Sequence, residues 1–202
     1  MRDGKKRYLR IALNLGILLC AAVLVFSAVQ LVLIGLGYGK AGGEYQALRQ
    51  EYAPPAHNPK GAQPALQQQL VQQAVSLSER NPDYAGWLEL PSLGISYPVV
   101  QGEDNHRYLN TTFEGESNTA GSIFMDAGCT EGFGGRHAIL YGHNMKDGSM
   151  FGPLTGLPGT DFAQQPVFIN ITAPNGQQFT YQVFYAAATT DTDPIYAPGP
   201  CG

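Results

Sequence analysis

The stretch WLELPSLGISYPVV, residues 87–100, holds two short runs of apolar, aromatic and β-branched residues parted by Pro91-Ser92-Leu93-Gly94. Runs this short, bounded by Gly and Pro, read as β-strands. The signature recurs in GSIFM (121–125), HAILY (137–141), VFINIT (167–172) and FTYQVFYAAA (179–188). In the last run Phe179, Tyr181, Val183 and Tyr185 alternate along the chain, which predicts a strand with one buried face. Pro174-Asn175-Gly176 supplies a turn, so the last two runs form a hairpin. Six short strands at this spacing predict a barrel or sandwich. No internal repeat is visible.

Upstream, the pattern changes. Residues 64–80, PALQQQLVQQAVSLSER, place Leu66, Leu70, Ala74 and Leu77 on one helical face, with Gln and Ser on the other. Asn81-Pro82 ends this amphipathic helix, which we expect to pack on the strands. Residues 37–63 are rich in Gly, Pro and Ala and read as an extracytoplasmic stalk, with one helical turn around Glu44–Glu51. Residues 11–36 carry no charge, and as a helix they would reach ~39 Å against a hydrocarbon core of ~30 Å. The run is too long for the apolar region of a cleaved signal peptide, no A-x-A site follows it, and Leu19 before Cys20 departs from a lipoprotein signal. We expect an uncleaved transmembrane anchor. The basic tail, residues 1–10, then lies in the cytoplasm and the rest of the chain outside.

Of 202 residues, 12 are Lys or Arg and 16 Asp or Glu; five of the basic ones lie in residues 1–10, which leaves 7 Lys or Arg against 15 Asp or Glu over residues 37–202. The acidic ectodomain is a poor partner for nucleic acid. Of the three cysteines, Cys20 sits in the anchor, and only Cys129 and Cys201 could pair. Their spacing suggests neither a disulfide framework nor a metal knuckle.

Four histidines remain to be placed. His57 falls in the stalk, and His106 and His137 have no partner at metal-ligand spacing, so neither a metal nor a cofactor is expected. His143 differs. It follows Ile139-Leu140-Tyr141 and Gly142, so a strand end would fix its ring while leaving it open to a cleft. The competing reading is a ring that hydrogen-bonds its own turn at Lys146–Gly148. Asn144, Met145, Lys146 and Asp147 are expected to shape that turn, Asp126 to form another, and Trp87 and Tyr97 to lie in the core.

From Asn81 onward the chain resembles the class B sortases, membrane-anchored cysteine transpeptidases of Gram-positive surfaces. The resemblance rests on NPDYAGWLELPSLGISYPVVQGEDNHRYLNTTFEGESNTAGSIFMD (81–126) and ILYGHNMKDGSMFGPL (139–154), which match in order and spacing. It implies a mainly β fold: a sortase-type β-barrel, about six of its eight strands present over 64–202, with a flanking N-terminal amphipathic helix. It implies that His143 is the catalytic histidine, and that Asn105 and Leu109, in DNHRYLN, line the substrate groove. The implied reaction is thiolate attack on the Thr carbonyl of an Asn-Pro-x-Thr-type sorting signal. An amine of a cell-wall precursor, or a pilin lysine, then resolves the acyl-thioester. The implied partners are therefore a surface protein bearing that signal and the acceptor amine.

The resemblance also implies a nucleophile in a Thr-Leu-x-Thr-Cys strand and an arginine on the next strand. Neither motif occurs here. Cys201, between Pro200 and Gly202, cannot sit in a central strand, and Cys129 precedes the histidine. We therefore expect a fragment lacking the nucleophile. The alternatives are a degenerate, non-catalytic anchored module that binds peptide or a surface protein, and a hydrolase using the same residues.

Overall fold

The computed structural model describes residues 2–55 and 64–190. His57, Cys201 and part of the expected stalk lie outside them. The chain divides into two compact units, Met1–Lys40 and Ala41–Gly202.

The first unit is the greater part of helix α1 (Arg2–Tyr52). From Leu13 to Leu36 every side chain is exposed, and the apolar ones point in all directions, Leu13, Leu18, Leu24 and Leu31 among them. The helix is long and apolar enough to cross a membrane.

The second unit is one six-stranded sheet, curled into a half-barrel, with helical segments against it. The strands are β1 (Tyr84–Leu90), β2 (Ile95–Val100), β3 (Ile123–Met125), β4 (Leu140–Tyr141), β5 (Phe168–Thr172) and β6 (Gln178–Gln182). Their order is β4-β3-β2-β1-β5-β6, so all six strand-like runs in the sequence become strands of one sheet. Every neighbouring pair is antiparallel except β2 and β3, which run parallel. The turn between β5 and β6 is closed by Gly176 N–H donating to Ala173 O at 2.9 Å, with Gly176 at φ +77°. One sheet face is apolar, with Leu88, Ile95, Val99 and Ile171 buried.

Helix α2 (Pro64–Arg80) forms as expected, burying Leu70, Ala74 and Leu77. Asn81 ends it: its N–H reaches back to Leu77 O, while its buried amide donates to Phe113 O and Tyr108 Oη.

Two elements differ from the sequence reading. The segment 37–52 is not a loose stalk with one helical turn; it continues α1. Its glycines disfavour a helix by roughly 1 kcal/mol each. However, Ala41, Tyr45 and Leu48 form a stripe at i, i+4, i+7 that is buried against the sheet unit. Burying a side chain the size of Leu48 contributes roughly 1.5–3 kcal/mol, which offsets that cost. Arg80 of α2 holds the end of α1, pairing with Glu114 at 2.6 Å and Glu51 at 3.6 Å and lying over the Tyr52 ring. The second difference is at the far edge. β6 stops at Gln182, Tyr181 is half exposed, and Phe184 and Tyr185 are 88% and 73% exposed. The alternating face is apolar as expected but not buried. β6 is the last strand on its side of the sheet among the described residues, and on its face Tyr181 meets the 133 segment through a hydroxyl bond to Phe133 O at 3.0 Å.

Two predictions follow from this packing. Leu48→Ala should cost about 2–5 kcal/mol in denaturant unfolding of the detergent-solubilised chain; an unchanged midpoint would mean that 41–52 does not dock. The second concerns Glu89, which is half buried on β1 opposite uncharged Ser96 and Asn170. Burial pushes its carboxyl up to about 7. Stability linked to this proton is complete below the ordinary range near 4.5 and is lost as pH rises through about 7. Glu89→Gln should therefore gain on the wild type in melting temperature between pH 5 and pH 8. Parallel curves would refute the assignment.

Candidate functional site: the histidine at the end of β4

The parallel pairing of Val99 with Ile123 and Val100 with Phe124 sets the site's outline. Parallel neighbours cannot be joined by a hairpin, so the chain must cross over between them. Residues 101–122 make that crossover, carrying Asn105 and a 3-10 turn at Arg107–Leu109 across the sheet. Asp83 and Asn81 hold this turn from below. Tyr108 Oη donates to Asp83 Oδ2 at 2.7 Å, Arg107 pairs with the same oxygen, and Asn81 Nδ2 donates to Tyr108 Oη. The NPDY and HRYL segments are thus two halves of one clamp.

β4 delivers His143 to the same place. Gly142, immediately before it, has no room for a side chain: an added Cβ would collide with Ile123 Cδ1 and the Phe151 ring. The imidazole is half buried, and its Nε2 lies 2.7 Å from Leu109 O. A carbonyl oxygen only accepts, so Nε2 carries a proton, and in the neutral ring the lone pair is on Nδ1. The ring does not turn back on Lys146–Gly148; it reaches 34 positions up the chain.

The loop after it is built as the sequence suggested. Gly148 N–H donates to Met145 O, Asp147 Oδ1 accepts from Ser149 N–H and Oγ–H, and Phe151 N–H closes onto His143 O at 3.0 Å. Those Ser149 bonds, side chain first, hold the Asp147 carboxyl below the usual range. Lys146 is exposed. Met150 adopts φ +52°, a left-handed conformation costly for a non-glycine residue. It is held there by a bridge to Asn144 and by Tyr97 Oη, which accepts from its N–H at 3.0 Å. Tyr97 is therefore core, as expected, and also the brace of the histidine loop. Trp87 is buried with its Nε1–H donating to Ser96 Oγ.

Asn105 and Leu109 meet different fates. Leu109 contributes its backbone carbonyl to His143. Asn105 turns to the end of β3, where Nδ2 donates to Asp126 Oδ2 at 2.7 Å and Oδ1 accepts from Ala127 N–H at 2.8 Å. Asp126 does form a turn, accepting from Gly128 N–H, but it also accepts from Tyr141 Oη at 2.8 Å. Burial alone would push this carboxyl up. The donors Gly128 N–H, Tyr141 Oη–H and Asn105 Nδ2–H outweigh burial and hold it below the usual range. The cluster ties the crossover (Asn105), β3 (Asp126) and β4 (Tyr141) together just behind the histidine.

Sequence reasoning missed Tyr45, whose hydroxyl donates to Gly121 O and accepts from Phe113 N–H in the 101–122 crossover; the 41/45/48 spacing was its only trace. Among the described residues no group of His, Cys, Asp and Glu is arranged to hold a metal. Cys20 is the free cysteine among them, on the exposed apolar helix, whereas Cys129 is buried and disulfide-bonded, so it offers no free thiol.

The curled sheet that carries this histidine has counterparts among known proteins. The model of the Sortase domain matches residues 88–198. Sortase B of Staphylococcus aureus is 37% identical over 127 residues, covering 63% of this chain and 52% of that protein. The chain belongs to the sortase family, class B. Sortase B of Listeria monocytogenes is 44% identical over 86 residues, covering 43% of this chain and 35% of that protein. The solved complex of S. aureus sortase B with substrate has a TM-score of 0.62 at 29% identity, covering 80% of this chain and 71% of that one. The chain spans about half or less of the length of these curated relatives.

Gly142→Ala tests the local geometry. Overpacking should cost about 1–3 kcal/mol and displace the imidazole from Leu109 O. A crystal structure of the variant with the 2.7 Å contact intact would contradict this account of the glycine.

Proposed function

We propose that this chain belongs to a membrane-anchored cysteine transpeptidase in which His143 is the proton-transfer group. The observation that carries the reading is the half-buried His143 ring, fixed by Leu109 O in one tautomer with Nδ1 left as a base. Membership of class B supports the reaction class, and the solved S. aureus sortase B–substrate complex supports a sorting-signal peptide as the ligand.

The reading assigns the steps as follows. A cysteine thiolate adds to the Thr carbonyl of an Asn-Pro-x-Thr-type signal. The peptide bond after Thr then breaks, and the leaving amine takes its proton from the His143 imidazolium. An acyl-thioester remains. An amine of a cell-wall precursor, or a pilin lysine, gives a proton to the neutral imidazole, attacks the thioester and expels the thiolate. The product is an amide, and the thiolate–imidazolium pair is restored. Histidine suits both transfers because its ordinary titration range lies near neutrality.

The thiol itself is not among the described free cysteines near the ring, and the Thr-Leu-x-Thr-Cys motif does not occur in the sequence. Asn105 and Leu109 line the peptide groove in this reading, Asn105 through the amide hydrogen and lone pair that Asp126 and Ala127 leave unused. The anchor is the helix over 11–36, with residues 1–10 in the cytoplasm and the sheet unit outside.

In the protein expressed from its native gene, His143→Ala should lower transpeptidation of a sorting peptide onto an added amine by roughly 10²–10⁴-fold. Undiminished turnover removes the assigned role. Tight peptide binding without any thioester, in wild type and variant alike, would point to a non-catalytic binding module. A product unchanged by the acceptor amine would point to a hydrolase.

A further inference from the structure

We propose that Tyr45, on the segment of α1 that docks against the sheet unit, is a positioning residue for His143 and acts on both supports of the imidazole. The inference rests on the reading of His143 as the working group, and it adds a residue from outside the Sortase-domain match over residues 88–198.

The first support is the carbonyl that receives the ring. Tyr45 Oη donates to Gly121 O at 2.6 Å, accepts from Phe113 N–H at 3.3 Å and lies 3.2 Å from Ser122 Oγ. Burial pushes this hydroxyl above its ordinary range, so it remains protonated and a donor. Gly121, at φ +57°, is pressed against the Tyr108–Leu109 backbone: an added Cβ would lie 2.5 Å from Tyr108 O and 2.6 Å from Leu109 O. Ser122 continues the strap, its N–H donating to Tyr108 O at 3.0 Å and its Oγ to Thr111 O at 2.8 Å. Gly121 has no slack against Leu109, so whatever fixes Gly121 O fixes the oxygen that His143 meets.

The second support is the loop that carries the ring. The edge of Tyr45 packs on Tyr97 with centroids 5.3 Å apart. Tyr97 Oη in turn holds Met150 N–H, and the Met150 turn closes onto His143 O through Phe151 N–H. One side chain thus reaches the acceptor through its hydroxyl and the loop through its ring.

Tyr45→Phe separates the two, because it keeps the ring and removes the hydroxyl. The readout is the imidazole of the full chain in detergent, followed by ¹⁵N–¹H spectra of histidine-labelled protein, with His143→Gln assigning the signal. In the wild type the ring should show the Nε2–H tautomer with a solvent-protected proton. In Tyr45→Phe it should show mixed tautomers, and the Nε2 proton should exchange roughly five- to tenfold faster, the effect of one ordinary hydrogen bond. Tyr181→Phe, which removes a hydroxyl bond to Phe133 O elsewhere in the unit, should leave the signal unchanged. An unchanged His143 signal in Tyr45→Phe, or an equal change in Tyr181→Phe, overturns the proposal. A wild-type ring already in mixed tautomers overturns it through its premise. If the signal responds as expected while His143→Ala retains turnover, the positioning stands and the catalytic reading of the histidine falls.

Discussion

The parallel pairing of Val99 and Val100 with Ile123 and Phe124 constrains most of what surrounds His143. A parallel neighbour obliges the chain to leave β2, cross the sheet and re-enter in the same direction. The returning segment, 101–122, therefore has to lie over the sheet end, and there it presents backbone carbonyls with no strand partner. One of them, Leu109 O, meets the histidine that comes off β4 on the far side of β3. Had β2 and β3 formed a hairpin, no such carbonyl would be available at that position.

A crossover of this kind would be mobile without restraint, and the chain restrains it with polar contacts as well as by burying Tyr108 and Phe113. Asn81 and Asp83 grip Tyr108 and Arg107; Asn105 and Tyr141 converge on Asp126; Tyr45 grips Gly121 and Ser122. Directional bonds of this type, satisfied on both sides, fix a geometry to within tenths of an ångström more sharply than apolar packing does. Surface pairs such as Arg80 with Glu51 add little to stability but orient the two helix ends.

The arrangement would suit the proton-transfer role proposed for His143. With Nε2 tied to Leu109 O, the ring is held in one orientation and Nδ1 is the nitrogen left for a substrate or partner group. The strained Met150 turn fits this picture, since such conformations persist only where surrounding contacts over-determine them.

The sequence by itself determined the six strands, the hairpin at Pro174–Gly176, helix α2, the long apolar span, the family, and the arrival of His143 at a strand end, because each is written in a local periodicity, a turn residue or a contiguous motif. It also left Asp126 as a turn former, which is half of what that residue does. Only the tertiary structure decided that residues 41–52 are helix, that the histidine meets Leu109 O instead of its own turn, that Asn105 serves Asp126, and that Tyr181 and Tyr185 stay largely exposed. Each of these depends on which segment lies opposite, and pairing at separations of 34 or 76 positions leaves no local signature. The glycines of 37–43 mark a flexible chain until Tyr45 and Leu48 find a surface, and that surface exists only once the crossover is in place.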